Sequence, residues 1–342
     1  MEKPVFSIIT ATYNHENYIL DCIRSVQAQT FPNWEMIIVN DGSTDNTASV
    51  ITSAASADPR IKFYDQPNVG IFRLRETYNL ALRHCIGEFV CILEGDDVWE
   101  RDKLERQMKV FREDENVIFH WGKAFRKHSD LSAIYDVQPD IEDPQVINKF
   151  YNDPPGTFLN VLYFRNVIPA LTAVIRKDRL DELGGFIQSH NLPLVDYPTI
   201  LALVEKGKFY YDPTPLGSWR INPNQITKTY PIEITEGIHA AAIEHFRNLS
   251  PEIKSQVNVT EKEIKENYQN IVHIALARSG RYKLIRREFK SARKDYARAI
   301  FYRGTKNYMW RVRSAVGLAF SFFHLNVEGL AQLLGKDTFF KK

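Results

Sequence analysis

The sequence predicts an α/β fold: a mostly parallel sheet flanked by helices, followed by a helical C-terminal extension. Three observations predict it. Apolar runs alternate with stretches of helical spacing across residues 1–112. One run, Glu88–Leu93, is mostly apolar without alternation, as expected of a central parallel strand covered on both faces, and it ends in a cluster of carboxylates. Beyond Pro231 the strand signals give way to helical ones.

Val5–Ala11 reads as the first strand, and Ile19, Cys22, Ile23 and Val26 then fall at helical spacing. Thr30–Asn33 makes a proline-containing turn into a second strand, Trp34–Asn40, with a helix over Thr47–Ala57 behind it. Ile61–Tyr64 is a short third strand, and Leu74–Cys85 places Leu74, Tyr78, Ala81, Leu82 and Cys85 on one helical face. The acid-ending strand is the fourth. Repeated βα units of this length imply right-handed crossovers, hence parallel pairing with helices on both faces.

A helix through Leu104, Met108 and Phe111 follows, then a strand over Val117–Arg126. From about Ser129 to Gly156 periodicity is lost, and a long loop is expected. Strands are expected at Ala170–Arg176, Lys208–Tyr211 and Leu216–Arg220, and helices at Asp178–Leu183, stopped by Gly184-Gly185, and at Thr199–Lys206. The expected organisation is a catalytic domain over 1–229, in halves 1–112 and 113–229, and a basic helical region over 230–342.

At 342 residues, with 44% apolar and 25% charged residues, the chain has the composition of an ordinary soluble protein. Its net charge of +2 hides an asymmetry. Arg278–Arg313 is dense in Lys and Arg and holds only Glu288 and Asp295 against them, which leaves the remainder net acidic. Cys22, Cys85 and Cys91 lack metal-ligand spacing and read as buried, reduced thiols. No charged-then-apolar leader precedes the first strand, and no apolar run has the length of a membrane span. A cytoplasmic location is therefore expected.

Chemistry is expected where strands end, because ligands of open α/β sheets bind at the carboxyl edge. Glu94, Asp96 and Asp97 would repel one another unless a cation or donors neutralised them, and hard oxygen ligands suit Mg²⁺ or Mn²⁺ holding phosphate oxygens. The plainer alternative is a solvated acidic turn. The first strand ends in Ala11, Thr12, Tyr13 and Asn14, which offer backbone groups and a ring for a base. The second ends in Asp41, a candidate acceptor from a base N–H, and Gly42, which permits close backbone approach. Neither a glycine-rich dinucleotide fingerprint nor a P-loop is present, so a diphosphate would need a metal, with Arg73 and Arg75 as candidate cationic partners or plain helix-start arginines.

SIITATYNHENY, SVQAQTFPNWEMIIVNDGSTDNT, PNVG and GEFVCILEGDDVWERDKLERQ together resemble family 2 inverting glycosyltransferases of the GT-A (Rossmann-like) fold. The resemblance is collinear over about residues 4–112 and continues more weakly to about Gln225. It implies that Asp41 binds the nucleotide base, Asp96 the ribose side and Asp97 the divalent metal on the diphosphate. It matches Asp196, in the apolar stretch LPLVDYPTILAL, to the catalytic base; an N-cap ahead of Pro198 is the structural alternative. LGSWRINPNQ resembles the segment closing over the diphosphate, with Arg220 and Asn222 as contacts. Trp99 is a candidate sugar-stacking ring or a core residue. Two departures stand out: Glu94-Gly95 where the metal motif often begins with Asp, and Tyr78-Asn79 where an Arg-Asn pair is common.

The implied activity is metal-dependent transfer of a sugar from a nucleoside diphosphate donor, UDP-linked, to a glycan or lipid-linked hydroxyl in cell-surface polysaccharide biosynthesis. The rival is a non-catalytic nucleotide-sugar-binding scaffold. A sugar nucleotidyltransferase would want a phosphate loop after strand one, which is missing. The basic segment 282–298 suits an amphipathic helix on an anionic membrane surface, or a bundle packing on the chain or a second copy, and no nucleic-acid recognition motif supports a third partner. Val316–Leu334 is apolar but broken by Ser321, His324, Asn326 and Glu328.

Overall fold

The computed structural model describes residues 3–222, 225–303, 305 and 307–325. The chain divides into two compact units, residues 1–222 with 244–259, and residues 223–243 with 260–342. The reading of 326–334 as part of an apolar stretch lies outside the described residues.

The first unit is built on a seven-stranded sheet. Its strands are β1 (Phe6–Thr12), β2 (Trp34–Asp41), β3 (Ile61–Gln66), β4 (Phe89–Ile92), β6 (Val117–Gly122), β9 (Val174–Arg176) and β10 (Lys208–Asp212). A four-stranded sheet holds β5 (Val98–Trp99), β7 (Ala124–His128), β8 (Ile134–Gln138) and β11 (Gly217–Ile221). The large sheet runs β10-β6-β9-β4-β1-β2-β3 and is parallel except for β9, which pairs antiparallel with β4 and β6. The helices are α1 (Ile19–Gln27), α2 (Thr47–Ala57), α3 (Leu74–His84), α4 (Lys103–Glu113), α5 (Pro144–Lys149), α6 (Leu159–Leu162), α7 (Lys177–Glu182) and α8 (Asp196–Val204).

The early elements follow the expected pattern. β2 is buried along its whole length, and α1 turns Ile19, Cys22, Ile23 and Val26 inward. Glu35, inside β2, is buried with its carboxylate accepting from Ser7 Oγ at 2.6 Å, Lys62 Nζ at 2.6 Å and the Ile86 N–H at 2.7 Å. A buried carboxylate is stable there because its partners replace water.

Two expectations are corrected. Residues 129–156 are not structureless: β8 pairs antiparallel with β7, joined by an Arg126–Asp136 ion pair, and α5 starts with Asp143 capping the Gln145 N–H. No residue of β8 is buried, so the alternation that burial imposes on sequence is absent. The single strand expected over 117–126 is two, β6 and β7, which join different sheets. The cysteines are buried and unpaired, and burial pushes the Cys85 and Cys91 thiols up to about 12.

Lys103 is fully buried, its Nζ 4.0 Å above the Trp99 ring and donating to Gln107 Oε1 at 2.6 Å. Burial lowers its pKa to about 8. Between about 8 and 10.5 the unfolded chain holds a proton that the folded chain has released, so folding gains stability as pH rises through that window. Relative to Lys103→Met, wild type should gain about 3 kcal/mol across it. Urea unfolding of both proteins at the two ends of the window measures the difference, and a flat difference refutes it.

The second unit contains α9 (Ile226–Thr229), the N-terminal part of α10 (Pro231–Asn248), α12 (Glu261–Ile285), α13 (Phe289–Ile300) and α14 (Tyr308–Phe322); α11 (Pro251–Lys254) belongs to the first unit. α12 opens on a capping box, with Thr260 Oγ1 accepting from the Glu263 N–H and the Glu263 carboxylate accepting from the Thr260 N–H. The amphipathic helix expected over 282–298 is broken, because Arg287 has a φ of 62° between α12 and α13. Its apolar residues Leu284, Ala292 and Tyr296 are buried together within this unit. Among the described residues no helix is long and apolar enough to cross a membrane.

Candidate active site

The carboxyl ends of β1, β2 and β4 converge, and their loops are stitched by side chains. Asn14, at a φ of 54°, donates its N–H to Ser43 Oγ at 2.8 Å and accepts the Thr44 N–H at 2.8 Å. Gly95 donates its N–H to the Ala11 carbonyl at 3.2 Å. A Cβ on Gly95 would stand 2.5 Å from Thr12 Oγ1, so only glycine lets the acidic loop lie against β1. Tyr13 is 46% exposed at the rim, available as a surface for a flat ring.

Asp41 is buried at the end of β2. Its carboxylate accepts from Gln66 Nε2 at 2.7 Å, the Val69 N–H at 2.9 Å and the Gly70 N–H at 3.1 Å. A carboxylate has about four acceptor positions, which leaves capacity for one more donor. Gly42 has a φ of 66°, and a Cβ there would stand 2.6 Å from the Asn68 nitrogen. The PNVG loop thus folds directly over the end of β2.

Glu94, Asp96 and Asp97 follow β4 and place one carboxylate oxygen each within 4.8 Å of the others. Burial and the charges of Asp96 and Asp196 push Glu94 up to about 8. Asp97 is held well above the usual carboxylate range by burial and by its two acidic neighbours. Three oxygen donors under mutual repulsion fit a hard divalent cation, and Glu94 joins the Asp96 and Asp97 expected from sequence.

Arg220, 2% exposed on β11, pins this loop. Its backbone N–H donates to Asp97 Oδ1 at 2.9 Å and its Nε to the Asp96 carbonyl at 2.7 Å. The guanidinium also donates to the Ser129 carbonyl and to Asp21 Oδ2 at 3.1 Å, and it lies 4.9 Å above the Tyr18 ring. Asn222 Nδ2 donates to Asp96 Oδ2 at 2.9 Å.

Asp196 is the first residue of α8, where the helix dipole favours an anion, and it shares an apolar pocket wall with Ile92, Ala173, Phe186 and Ile200. Burial raises its pKa, while the Tyr197 N–H and Asn166 Nδ2, 3.2 Å from Oδ2, pull it back. Its charge acts on both Glu94 and Tyr78, so the structure brings Asp196 to the acidic cluster across more than ninety residues of sequence.

Sequence reasoning did not assign a role to Tyr78. It is 2% exposed on α3, its hydroxyl donates to Glu94 Oε1 at 3.2 Å, and its ring meets Phe186 edge-on at 5.1 Å. The two departures noted in the sequence, Tyr78 and Glu94, are therefore one contact. That coincidence was the available signal.

Other candidates stand elsewhere. Arg73 is exposed and paired with Glu76 at 2.7 Å, and Arg75 donates its N–H to Gln188 Oε1 at 2.9 Å. Trp99 is 5% exposed, with Nε1 donating to the Leu171 carbonyl at 2.7 Å and Lys103 over its ring, which is the packing role left open for it.

A largely parallel sheet of this order with acids at the end of its central strand is the GT-A architecture. It is shared with S. aureus TarS 1–349, solved in complex with UDP-GlcNAc (TM-score 0.55, 13% identity, covering 97% of this chain and 92% of that one). It is also shared with the Pyrobaculum calidifontis mannosyltransferase PcManGT, solved with GDP-Man and Mn²⁺ (TM-score 0.56, 18% identity, covering 98% and 89%). The chain belongs to glycosyl transferase family 2. Residues 7–171 match the family model, and Bacillus subtilis TuaG, named for teichuronic acid biosynthesis, is 32% identical over 228 residues, 66% of this chain and 82% of TuaG. The match covers half of Bacillus subtilis EpsH and 18% of a longer Rickettsia conorii glycosyltransferase.

Proposed function

We propose that the chain is a metal-dependent, inverting glycosyltransferase. It moves a sugar from a nucleoside diphosphate donor, UDP-linked, to a glycan or lipid-linked hydroxyl in cell-surface polysaccharide synthesis, with residues 1–229 forming the catalytic domain. The observation that carries the reading is the Glu94–Asp96–Asp97 cluster at the end of β4, with Asp196 near enough for its charge to act on Glu94. The TuaG relationship supports the polysaccharide context, and the complexes of TarS and PcManGT support a nucleotide-sugar donor.

Asp41 and the Tyr13 ring would hold the base, Asp96 the ribose side, and Asp96 with Asp97 a Mn²⁺ or Mg²⁺. When bound, that cation offsets the charge of the departing diphosphate. Asp196 accepts the proton of the acceptor hydroxyl as its oxygen bonds to the anomeric carbon and the carbon–diphosphate oxygen bond breaks. A single displacement inverts the linkage. Arg220 and Asn222 keep the acidic loop in place. The direct test is nucleotide release from a panel of nucleotide sugars with and without Mn²⁺; tight UDP binding without turnover on any acceptor would favour a scaffold.

Tyr78 and Glu94 meet where the charge of Asp196 acts on both, and the transferred sugar would lie beside them. Tyr78→Phe keeps the ring contact with Phe186 and removes only the hydroxyl. It should leave UDP affinity unchanged and alter the kcat/KM ratio between donors differing at one hydroxyl by about tenfold. Equal losses for every donor would argue against a role in choosing the sugar.

A further inference from the structure

We infer that the outer face of α14 docks on an anionic lipid bilayer. Helices of globular units turn large apolar side chains inward and small or polar ones outward. α14 does both: Trp310, Leu318 and Phe320 pack against the buried residues of this unit, yet a second set of large apolar side chains stands outward. Ser314, Gly317 and Ser321 are its buried residues, and the Tyr296 ring fills the space beside Gly317, where a Cβ would stand 2.3 Å from Tyr296 Cζ.

The opposite side carries Tyr308 (72% exposed), Met309 (61%), Val312 (59%), Val316 (39%), Phe322 (61%) and Phe323 (75%). Tyr308, Val312, Val316, Ala319 and Phe323, all exposed, follow one another at three to four residues and make one stripe along the helix. A contiguous apolar face of this kind marks an interaction surface.

Charge selects the occupant. No Asp or Glu lies between Asp295 and Glu328, while Arg298, Arg303, Lys306, Arg311 and Arg313 do. Arg293 adds a guanidinium 4.4 Å above the Phe322 ring. Two copies docked face to face would bring together Arg311 and Arg313 of α14 and the Arg293 beside Phe322, which opposes a symmetric dimer through this face. Phosphatidylglycerol-type headgroups instead complement them, with the aromatic rings at headgroup depth. α14 has 15 residues and lies on the surface in this arrangement.

The test uses the full chain and does not depend on turnover. In vesicle co-sedimentation the protein should pellet with phosphatidylcholine vesicles containing about 30 mol% phosphatidylglycerol and stay in solution with phosphatidylcholine alone. Raising salt from about 0.1 to about 0.5 M should weaken binding several-fold. Val312→Glu combined with Val316→Glu should weaken partitioning at least about tenfold at an unchanged melting temperature. Should that variant misfold, the two vesicle compositions with wild type still decide the matter. Wild type failing to bind anionic vesicles, a folded variant binding as well as wild type, or a wild-type dimer that the same substitutions dissociate would each overturn the inference.

Discussion

Asp97→Asn should reduce sugar transfer by a factor of about 10³ or more, since the diphosphate leaving group loses the charge compensation that the acidic loop provides. The substitution is nearly isosteric, and the new amide oxygen can still accept the Arg220 N–H that Asp97 takes at 2.9 Å. The fold should survive. Burial beside Asp96 and Glu94 raises the folded-state pKa of Asp97, so the ionised carboxylate lowers stability once pH exceeds its unfolded value. Without metal the variant should therefore melt above wild type. Wild type should overtake it as Mn²⁺ is added, because only wild type gains stability by binding. A melting series in Mn²⁺ measures both effects, and an Asp97→Asn protein that keeps its turnover and its Mn²⁺ response would remove the basis for the proposed chemistry.

Asp196→Asn tests the other half of the site. Loss of the proposed base should lower kcat by about 10²–10⁴ and leave donor affinity close to wild type, because the proposed donor contacts lie on the β1, β2 and β4 loops. The pH profile gives a second readout. Asp196 works only when ionised, and burial raises its pKa, so wild-type activity should fall with acidity above the range of an ordinary carboxylate. That limb should be missing from the residual activity of the variant. A drop in donor affinity as large as the drop in rate would assign Asp196 to binding instead.

The sequence was legible where one physical demand dominates. β1, β2 and β4 lie deep in the sheet, so their apolar runs are continuous, and the carboxylates following β4 are conspicuous because nothing nearby in sequence neutralises them. The partners that matter are remote. Arg220 reaches Asp96, Asp97, Ser129 and Asp21, and local spacing does not encode such a set. The strand expected over Ala170–Arg176 is present as β9, but its antiparallel pairing with β4 and β6 was not legible, because a three-residue strand carries no directional signal. β8 and α5 were read as loop because their exposed faces owe nothing to a core. Trp99, left open between a ligand-stacking ring and a core residue, fills the interior.

The placement of Arg220 has a consequence for how the site could be retuned. Its guanidinium fixes the acidic loop from β11, whereas Tyr78 reaches Glu94 from α3, a separate support. Under the proposed function, the two supports of the acidic loop, one from β11 and one from α3, can be altered independently. Exchanging side chains on α3 could change the latter while the anchoring arginine stays untouched.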